Sequence, residues 1–208
     1  LYTYRPARIQ AHYLGGTGAL AMKSIDWRLA DVWTEPEQER THSDDQIYRI
    51  GGGIHAFQPL SESAPLSPAP SLKNGYVTFG CLNGLHKIEV PTLRLWAQVL
   101  AACPNSRLVM IKSLFKNEAN RTHFLKFATK HGLPEDRLDL RCAQDGESHA
   151  DLSVYNSIDV ALDTGPYNGI TTTCEALWMG VPVVTYRGNR FVAREASALL
   201  HYAGYPQW

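Results

Sequence analysis

The stretch DVALDTGPYNGITTTCEALWMGVPVVT, residues 159–185, decides the fold of this chain. Its first apolar run, Val160–Leu162, predicts a strand, and the glycine, proline and asparagine residues after it predict a turn. A threonine triplet at 171–173 stands where a helix is expected to begin, and Gly180 is expected to end that helix. A second apolar run at 181–186 predicts another strand. Strand, loop, helix and strand in this order are typical of a parallel α/β sheet.

The junction between the first strand and the helix favours the binding of an anion. Free backbone N–H groups and the positive end of the helix dipole converge at a helix start. Threonine hydroxyls add further hydrogen-bond donors there. Glu175, one turn into the helix, would place a carboxylate beside vicinal sugar hydroxyls. The simpler alternative is that Thr171 only caps the helix, and the residues alone leave both interpretations open.

The second half of the chain alternates between strand and helix patterns. Short apolar runs predict strands, and apolar residues at helical spacing predict helices, with Ser148 as a candidate helix cap. Strands are expected at 76–79, 107–111 and 137–141, and helices at 91–103, 117–131, 148–156 and 190–202. Such alternation predicts an α/β fold with a parallel sheet, in which ligands bind at the carboxyl ends of the strands.

A segment rich in proline and serine divides the chain. It predicts a linker at 61–71, between the end of one lobe at 1–60 and a second lobe at 72–208. Strands are expected at 8–14 and 46–50 in the first part. Because the chain opens on Leu1, we expect it to be a piece of a longer protein.

Composition narrows the classes of partner. The 208 residues include 20 basic and 20 acidic side chains, so no nucleic acid and no acidic membrane surface is expected as a partner. No apolar run approaches a membrane span and no secretory signal is visible, which predicts a cytoplasmic protein. The four cysteines have no CxxC spacing and are expected to be buried free thiols.

The motif at 166–185 resembles the nucleotide-sugar motif of the O-linked N-acetylglucosamine transferase family, glycosyltransferase family 41, in its bacterial and SPINDLY-like branch. The resemblance continues in the same order over most of the chain, through Pro6, Ile9 and Gln10, the segment FGCLNGLHK at 79–87, and HADLSVY at 149–155. It implies a GT-B fold, with a parallel Rossmann-like sheet flanked by helices and the end of a preceding lobe.

The same resemblance implies a function. The chain would belong to an inverting enzyme that moves N-acetylglucosamine from UDP-GlcNAc to Ser or Thr of a protein or peptide acceptor. No cofactor and no metal is expected, because Lys87 and the helix start would neutralise the charge of the diphosphate. Family members usually carry tetratricopeptide helices upstream that hold the acceptor.

Individual site residues follow from the matched motifs. Phe79, Asn83 and Lys87 match the family spacing F-x-x-x-N-x-x-x-K, and Lys87 would be the catalytic lysine on the departing diphosphate. The resemblance implies that the nucleotide sugar contacts Asn83, Lys87, His149, Asn168, Gly169, Thr171, Thr172 and Glu175.

Two departures from the family pattern keep other functions open. Residues 16–21 differ from the family loop at this point, and Gly84 stands where some members have a glutamine. The alternatives are a degenerate module that binds a nucleotide sugar without transferring it, and a sugar-nucleotide epimerase on the same scaffold.

Overall fold

Two parallel sheets form the framework of the molecule. The computed structural model describes residues 2–14, 20–39, 46–59, 64–142 and 151–207. Its strands are Ala11–His12 (β1), Trp27–Ala30 (β2), Gln46–Arg49 (β3), Thr78–Cys81 (β4), Arg107–Ile111 (β5), Leu138–Arg141 (β6), Val160–Leu162 (β7) and Val183–Val184 (β8). Its α-helices are Ser71–Asn74 (α1), Val90–Ala102 (α2), Glu118–Lys130 (α3), Thr171–Trp178 (α4) and Glu195–Tyr202 (α5). Short 3₁₀ helices lie at Tyr2–Tyr4, Glu37–Glu39, Leu85–Lys87, Ser113–Lys116, Glu135–Arg137, Leu152–Ser157 and Phe191–Ala193.

The larger sheet has the strand order β6-β5-β4-β7-β8, and all its neighbours are parallel. Phe79 of β4 therefore lies between Leu108 of β5 and Val160 of β7. Because every strand runs in the same direction, all the carboxyl ends lie at one edge. The α/β fold expected from the sequence is confirmed.

Most of the core lies where α2 and α3 cover the larger sheet. The apolar positions of α2 recur at helical spacing, and Trp96 is almost completely buried. The core cluster on this side includes Phe79, Leu93, Trp96, Leu100, Leu108, Met110, Phe124 and Leu140. A second cluster forms around Tyr155, Ile158, Ala176, Val183 and Leu200. These two clusters hold the ends of β4 and β7 in place.

The smaller sheet has the order β1-β2-β3, and it contacts the last part of the chain. Ala30 and Ile54 pack with Phe191 in one buried cluster. The guanidinium of Arg194, which is 1% exposed, donates a hydrogen bond of 3.2 Å to the carbonyl oxygen of Thr34. The residues immediately before α5 therefore join the two sheets.

Several element boundaries differ from the sequence predictions. In the described part of the helix expected at 148–156 the structure has a 3₁₀ helix, Leu152–Ser157, whose cap is Asp151, because its carboxylate accepts the Ser153 N–H. The cap candidate Ser148 lies outside the described residues. The helix expected at 190–202 is interrupted at Arg194, whose backbone separates a 3₁₀ turn from α5. The strand expected at 8–14 is reduced to the two residues of β1.

The remaining general expectations have mixed outcomes. All four cysteines are free, but only Cys81 and Cys174 are buried, and Cys142 is exposed. Within the described ranges, every helix lacks the length and apolar character needed to cross a membrane. The division into lobes at residues 60 and 72 stays a prediction.

Candidate functional site

The candidate site lies at the carboxyl edge of the larger sheet, where β4 and β7 end side by side. The segment after β4 contains Asn83 and Lys87, and the segment after β7 runs from Asp163 into α4. Pairing of the two strands therefore brings together residues that are far apart in the sequence.

Asp163 fixes the backbone between β7 and α4. One carboxylate oxygen accepts hydrogen bonds from the Asn83 side-chain amide at 2.9 Å and from the Gly169 N–H at 2.7 Å. The other accepts the Thr185 hydroxyl at 2.6 Å. Burial raises the pKa of Asp163, and these donors act in the opposite direction. The carboxylate thus ties the ends of three neighbouring segments together.

Asn83 is committed to contacts inside the protein. It is 4% exposed, and its amide donates to Asp163 and, at 2.9 Å, to the hydroxyl of Thr164. Its carbonyl oxygen accepts the hydroxyl proton of Thr172. These bonds position the start of α4 against the end of β4, and nucleotide contact by Asn83 stays a prediction.

Gly169 is a close-approach position between the same two side chains. A Cβ atom there would lie far inside van der Waals contact with the Asn83 carbonyl oxygen and the Thr172 hydroxyl. Only glycine therefore lets the backbone enter α4 along this path.

Lys87 lies on the same side of the sheet as the helix start. Its ammonium donates a hydrogen bond of 2.8 Å to the Asn168 carbonyl oxygen, three residues before Thr171. The ammonium also lies 3.8 Å from the centroid of the Tyr167 ring. Burial lowers the pKa of Lys87, while the charges of Asp163 and Glu195 raise it. A half-buried ammonium with one backbone acceptor has donors left for an anion.

The side chain of Asn168 anchors the backbone oxygen that Lys87 contacts. It is fully buried, its amide donates to the Thr164 carbonyl at 2.9 Å, and its side-chain oxygen accepts the Ala196 N–H at 3.4 Å. Asn168 thereby links the loop before α4 to the first turn of α5. Only its backbone oxygen contacts Lys87.

The threonine triplet has three different environments. Helix α4 begins at Thr171, and its N-cap is Ile170 without a side-chain capping bond, so capping by Thr171 is ruled out. The Thr173 hydroxyl donates to the Gly169 carbonyl at 2.7 Å, and the Thr172 hydroxyl is held by Asn83. Thr171 is exposed at the helix start, where backbone N–H groups lack helical partners. This arrangement can accept a phosphate group.

Glu175 lies one turn deeper and is held by Tyr155. Its carboxylate accepts the Tyr155 hydroxyl at 2.8 Å, and it is 4% exposed. The Tyr155 hydroxyl also lies 3.1 Å from the Thr172 carbonyl oxygen. Burial and the nearby Glu175 charge raise the pKa of Tyr155. Contact of Glu175 with ribose hydroxyls stays a prediction.

Lys112 is a further basic group near this edge that the sequence reasoning missed. Its ammonium donates to the Leu82 carbonyl, and the charge of Glu175 acts on it. Burial is the largest influence on its pKa, which is lowered. Its position directly after β5, at a strand carboxyl end, was the available signal.

One of the predicted site residues lies outside the part of the chain that the structure describes. His149 falls in the gap between residues 142 and 151 of the described ranges. Residues 16–19 of the loop at 16–21 also lie outside those ranges. The other seven lie in the two adjoining segments or in α4. Within the described ranges, no group of three or more His, Cys, Asp or Glu side chains is arranged to hold a metal ion.

Comparisons with known proteins find relatives over almost the whole chain. The model of glycosyl transferase family 41 matches residues 69–208. The chain is 36% identical over 200 residues to the probable UDP-N-acetylglucosamine–peptide N-acetylglucosaminyltransferase SPINDLY of Solanum lycopersicum, covering 96% of this chain and 21% of that protein. The SPINDLY protein of Arabidopsis thaliana is also 36% identical over 200 residues, covering 96% of this chain and 22% of that protein.

A solved structure has the same fold. A mutant of the Thermobaculum terrenum O-GlcNAc transferase superposes with a TM-score of 0.87 at 33% identity, covering 99% of this chain and 38% of that chain. The present chain spans about a fifth of the length of the curated relatives. The matched family model extends over the whole site described above, from before β4 to beyond α5, and the chain belongs to glycosyl transferase family 41.

Proposed function

We propose that this chain is the nucleotide-sugar-binding part of a glycosyltransferase that moves N-acetylglucosamine from UDP-GlcNAc to Ser or Thr of a protein or peptide acceptor. The observation that carries the proposal is the hydrogen bond between the Lys87 ammonium and the Asn168 carbonyl. It holds a cation next to the start of α4, where backbone N–H groups are available for phosphate oxygens.

The chemistry follows from this pair of groups. Transfer leaves negative charge on the departing nucleoside diphosphate, and a fixed ammonium with helix-start N–H groups stabilises that charge as it forms. The exposed hydroxyl of Thr171 supplies a further donor. In this proposal the protein groups neutralise the diphosphate without a metal ion. The acceptor hydroxyl attacks the sugar carbon on the face opposite the departing diphosphate, and the configuration of that carbon is inverted.

Recognition of the nucleoside is assigned to the deeper part of the site. Glu175 would accept hydrogen bonds from the ribose diol, and His149 would contact the nucleotide or sugar. The relatives, which are named as UDP-N-acetylglucosamine–peptide N-acetylglucosaminyltransferases, support the choice of donor and of a peptide acceptor.

The test is transfer of radiolabelled N-acetylglucosamine to a peptide by the full-length protein. Lys87→Met is expected to lower kcat by roughly 10²–10³-fold, since removing one donor to developing charge costs about 3–4 kcal/mol. Lys73→Met is the matched control, because Lys73 is an exposed lysine in α1 and its loss should leave turnover unchanged.

The same assay separates the alternative functions. Turnover by Lys87→Met equal to that of the wild type would overturn the proposed mechanism. Calorimetric binding of UDP without any transfer by the wild type would favour a binding module. An altered nucleotide sugar found by mass spectrometry without an acceptor would favour an epimerase.

A further inference from the structure

The group that the proposed mechanism leaves unused is the carboxyl of Glu195, in the first turn of α5. Glu195 is 2% exposed, and its Oε2 atom has no hydrogen-bond partner among the described residues. A buried carboxyl without a donor is costly to ionise, because desolvation penalises the charged form.

Asn168 links the backbone next to Glu195 to the ammonium of Lys87. The Asn168 carbonyl accepts the Lys87 ammonium, and its side-chain oxygen accepts the N–H of Ala196, the residue after Glu195. The buried asparagine therefore joins the lysine to the helix turn that carries Glu195. No direct ion pair joins Glu195 and Lys87, but the charge of Glu195 raises the pKa of Lys87 and the charge of Lys87 lowers the pKa of Glu195.

The two acidic groups near Lys87 differ in their surroundings. Asp163 receives donors on both oxygens, from Asn83, Gly169 and Thr185. Glu195 receives none on Oε2. A proton that enters this site would therefore be taken by Glu195 rather than by Asp163.

We propose that Glu195 is a positioning residue for Lys87: its carboxylate balances the ammonium before a nucleoside diphosphate binds, and takes up a proton from solvent when the diphosphate pairs with Lys87. This inference rests on the proposed function. Uptake follows because the added phosphate charge repels an ionised carboxylate held nearby in a buried setting.

The charges that face Glu195 agree with this role. They come from Lys87 after β4, Asp163 after β7 and Asp31 after β2. The pKa of Glu195 is raised to about 7: burial is the largest cause, the charges of Asp163 and Asp31 also raise it, and the Lys87 charge lowers it. The group is therefore poised to change its protonation near neutral pH.

The first measurement is the affinity for UDP by calorimetry at pH 6 and pH 8.5. Glu195→Gln is expected to match the wild type at pH 6 and to bind UDP several-fold more tightly at pH 8.5, where the wild-type carboxylate is ionised. A gain in affinity confined to high pH is not what a merely structural defect would produce.

The second measurement counts protons. Binding of UDP at pH 7.5, repeated in buffers of different ionisation enthalpy, is expected to draw about half a proton more per UDP in the wild type than in Glu195→Gln. Glu89→Gln is the matched control, because Glu89 is an exposed carboxyl two residues from Lys87, and it should behave as the wild type. Glu195→Met serves as a second variant should the glutamine not fold.

Each outcome decides one question. Equal proton uptake in wild type and variant, or equal affinity at pH 8.5, would overturn the role of Glu195 while leaving nucleotide binding intact. If the wild type itself shows no binding of UDP, the proposed function fails and not only this inference.

Discussion

At the scale of single residues, the site depends on side chains whose hydrogen bonds are made inside the protein rather than to a ligand. The polar side-chain atoms of Asn83 and Asp163 bond each other, the loop before α4, Thr172 in α4 and Thr185 after β8. Of the predicted site residues, Lys87 keeps ammonium donors beyond its bond to Asn168, and Thr171 is exposed, so both can bind an outside partner. Because these internal hydrogen bonds hold the loop before α4 close to Asn83 and Thr172, a larger residue at Gly169 tests how closely the loop is packed.

Gly169→Ala is expected to lower the free energy of unfolding by about 1–3 kcal/mol, because the new methyl group collides with Asn83 and Thr172. It should also weaken UDP binding, since those two residues fix the start of α4. Urea denaturation and calorimetry measure the two effects. Gly165→Ala is the control from the same loop, where a Cβ would meet nothing within 4 Å; equal stability of the two variants would contradict the collision.

The raised pKa of Glu195 leads to a prediction about the stability of the protein without ligand. Its pKa is raised to about 7 in the fold from an ordinary value of 4.5, so the unfolded chain releases this proton at lower pH than the fold does. Wild-type stability therefore falls, relative to Glu195→Gln, as pH rises from about 4.5 to 7.

The free energy of unfolding of Glu195→Gln should exceed that of the wild type by on the order of 1–3 kcal/mol at pH 8, and by less at pH 5. Urea unfolding at both values measures this. A difference of the same size at both pH values would show that the carboxyl has no unusual titration.

At the scale of elements, α4 receives its orientation from the short helix Leu152–Ser157. The Tyr155 hydroxyl on that helix lies 2.8 Å from the Glu175 carboxylate and 3.1 Å from the Thr172 carbonyl, so its single proton is shared between two acceptors on α4. Neither contact could be foreseen from the spacing of residues, because the two elements are brought together by β7.

Tyr155→Phe is expected to cost about 1 kcal/mol of stability and to reduce the preference for UDP over 2′-deoxy-UDP. The reason is that Glu175, proposed to bind the ribose diol, loses the donor that orients it. Calorimetry with both nucleotides gives the ratio of affinities. Tyr48→Phe, at an exposed tyrosine of β3, should leave the ratio unchanged, and an unchanged ratio in Tyr155→Phe would remove this role.

At the scale of the whole molecule, the two sheets are joined through the segment before α5. Arg194 reaches the Thr34 carbonyl and, at 2.6 Å, the Asn189 carbonyl. A buried ion pair, Arg28–Glu35 at 3.2 Å, lies in the same region, and the Arg28 guanidinium lies 5.6 Å from the centre of the Phe191 ring.

Arg194→Met is expected to loosen the smaller sheet selectively. Amide hydrogen exchange in β2 should become about tenfold faster or more, the result of losing roughly 1–3 kcal/mol of buried hydrogen bonds, while exchange in β5 changes less. Arg190→Met is the control, because Arg190 is exposed. Equal acceleration in β2 and β5 would indicate general destabilisation instead.

The sequence predicted more of the fold than of the site's internal contacts. The strands Arg107–Ile111 and Val160–Leu162 have the expected bounds, because short apolar runs between turn formers leave few alternatives. The nearness of Lys87 to the start of α4 was implied by the family resemblance, through the spacing of Phe79, Asn83 and Lys87, and it agrees with the rule that ligands bind at strand carboxyl ends.

The roles of Asp163 and Glu195 were not predicted from the sequence, because their burial and their hydrogen-bond partners are set only when distant segments pack. Asp163 directly follows a predicted strand, which was a usable signal. Glu195 gave none, since its neighbours Lys87 and Asp31 come from two different sheets.

Three consecutive residues at the start of α5 face different parts of the molecule. Arg194 contacts Thr34 beside the smaller sheet, Glu195 acts on Lys87, and Ala196 bonds Asn168. A molecule that binds against the smaller sheet and displaces Arg194 is therefore expected to change the affinity for nucleotide. Nucleotide would then change the affinity for that molecule by the same factor.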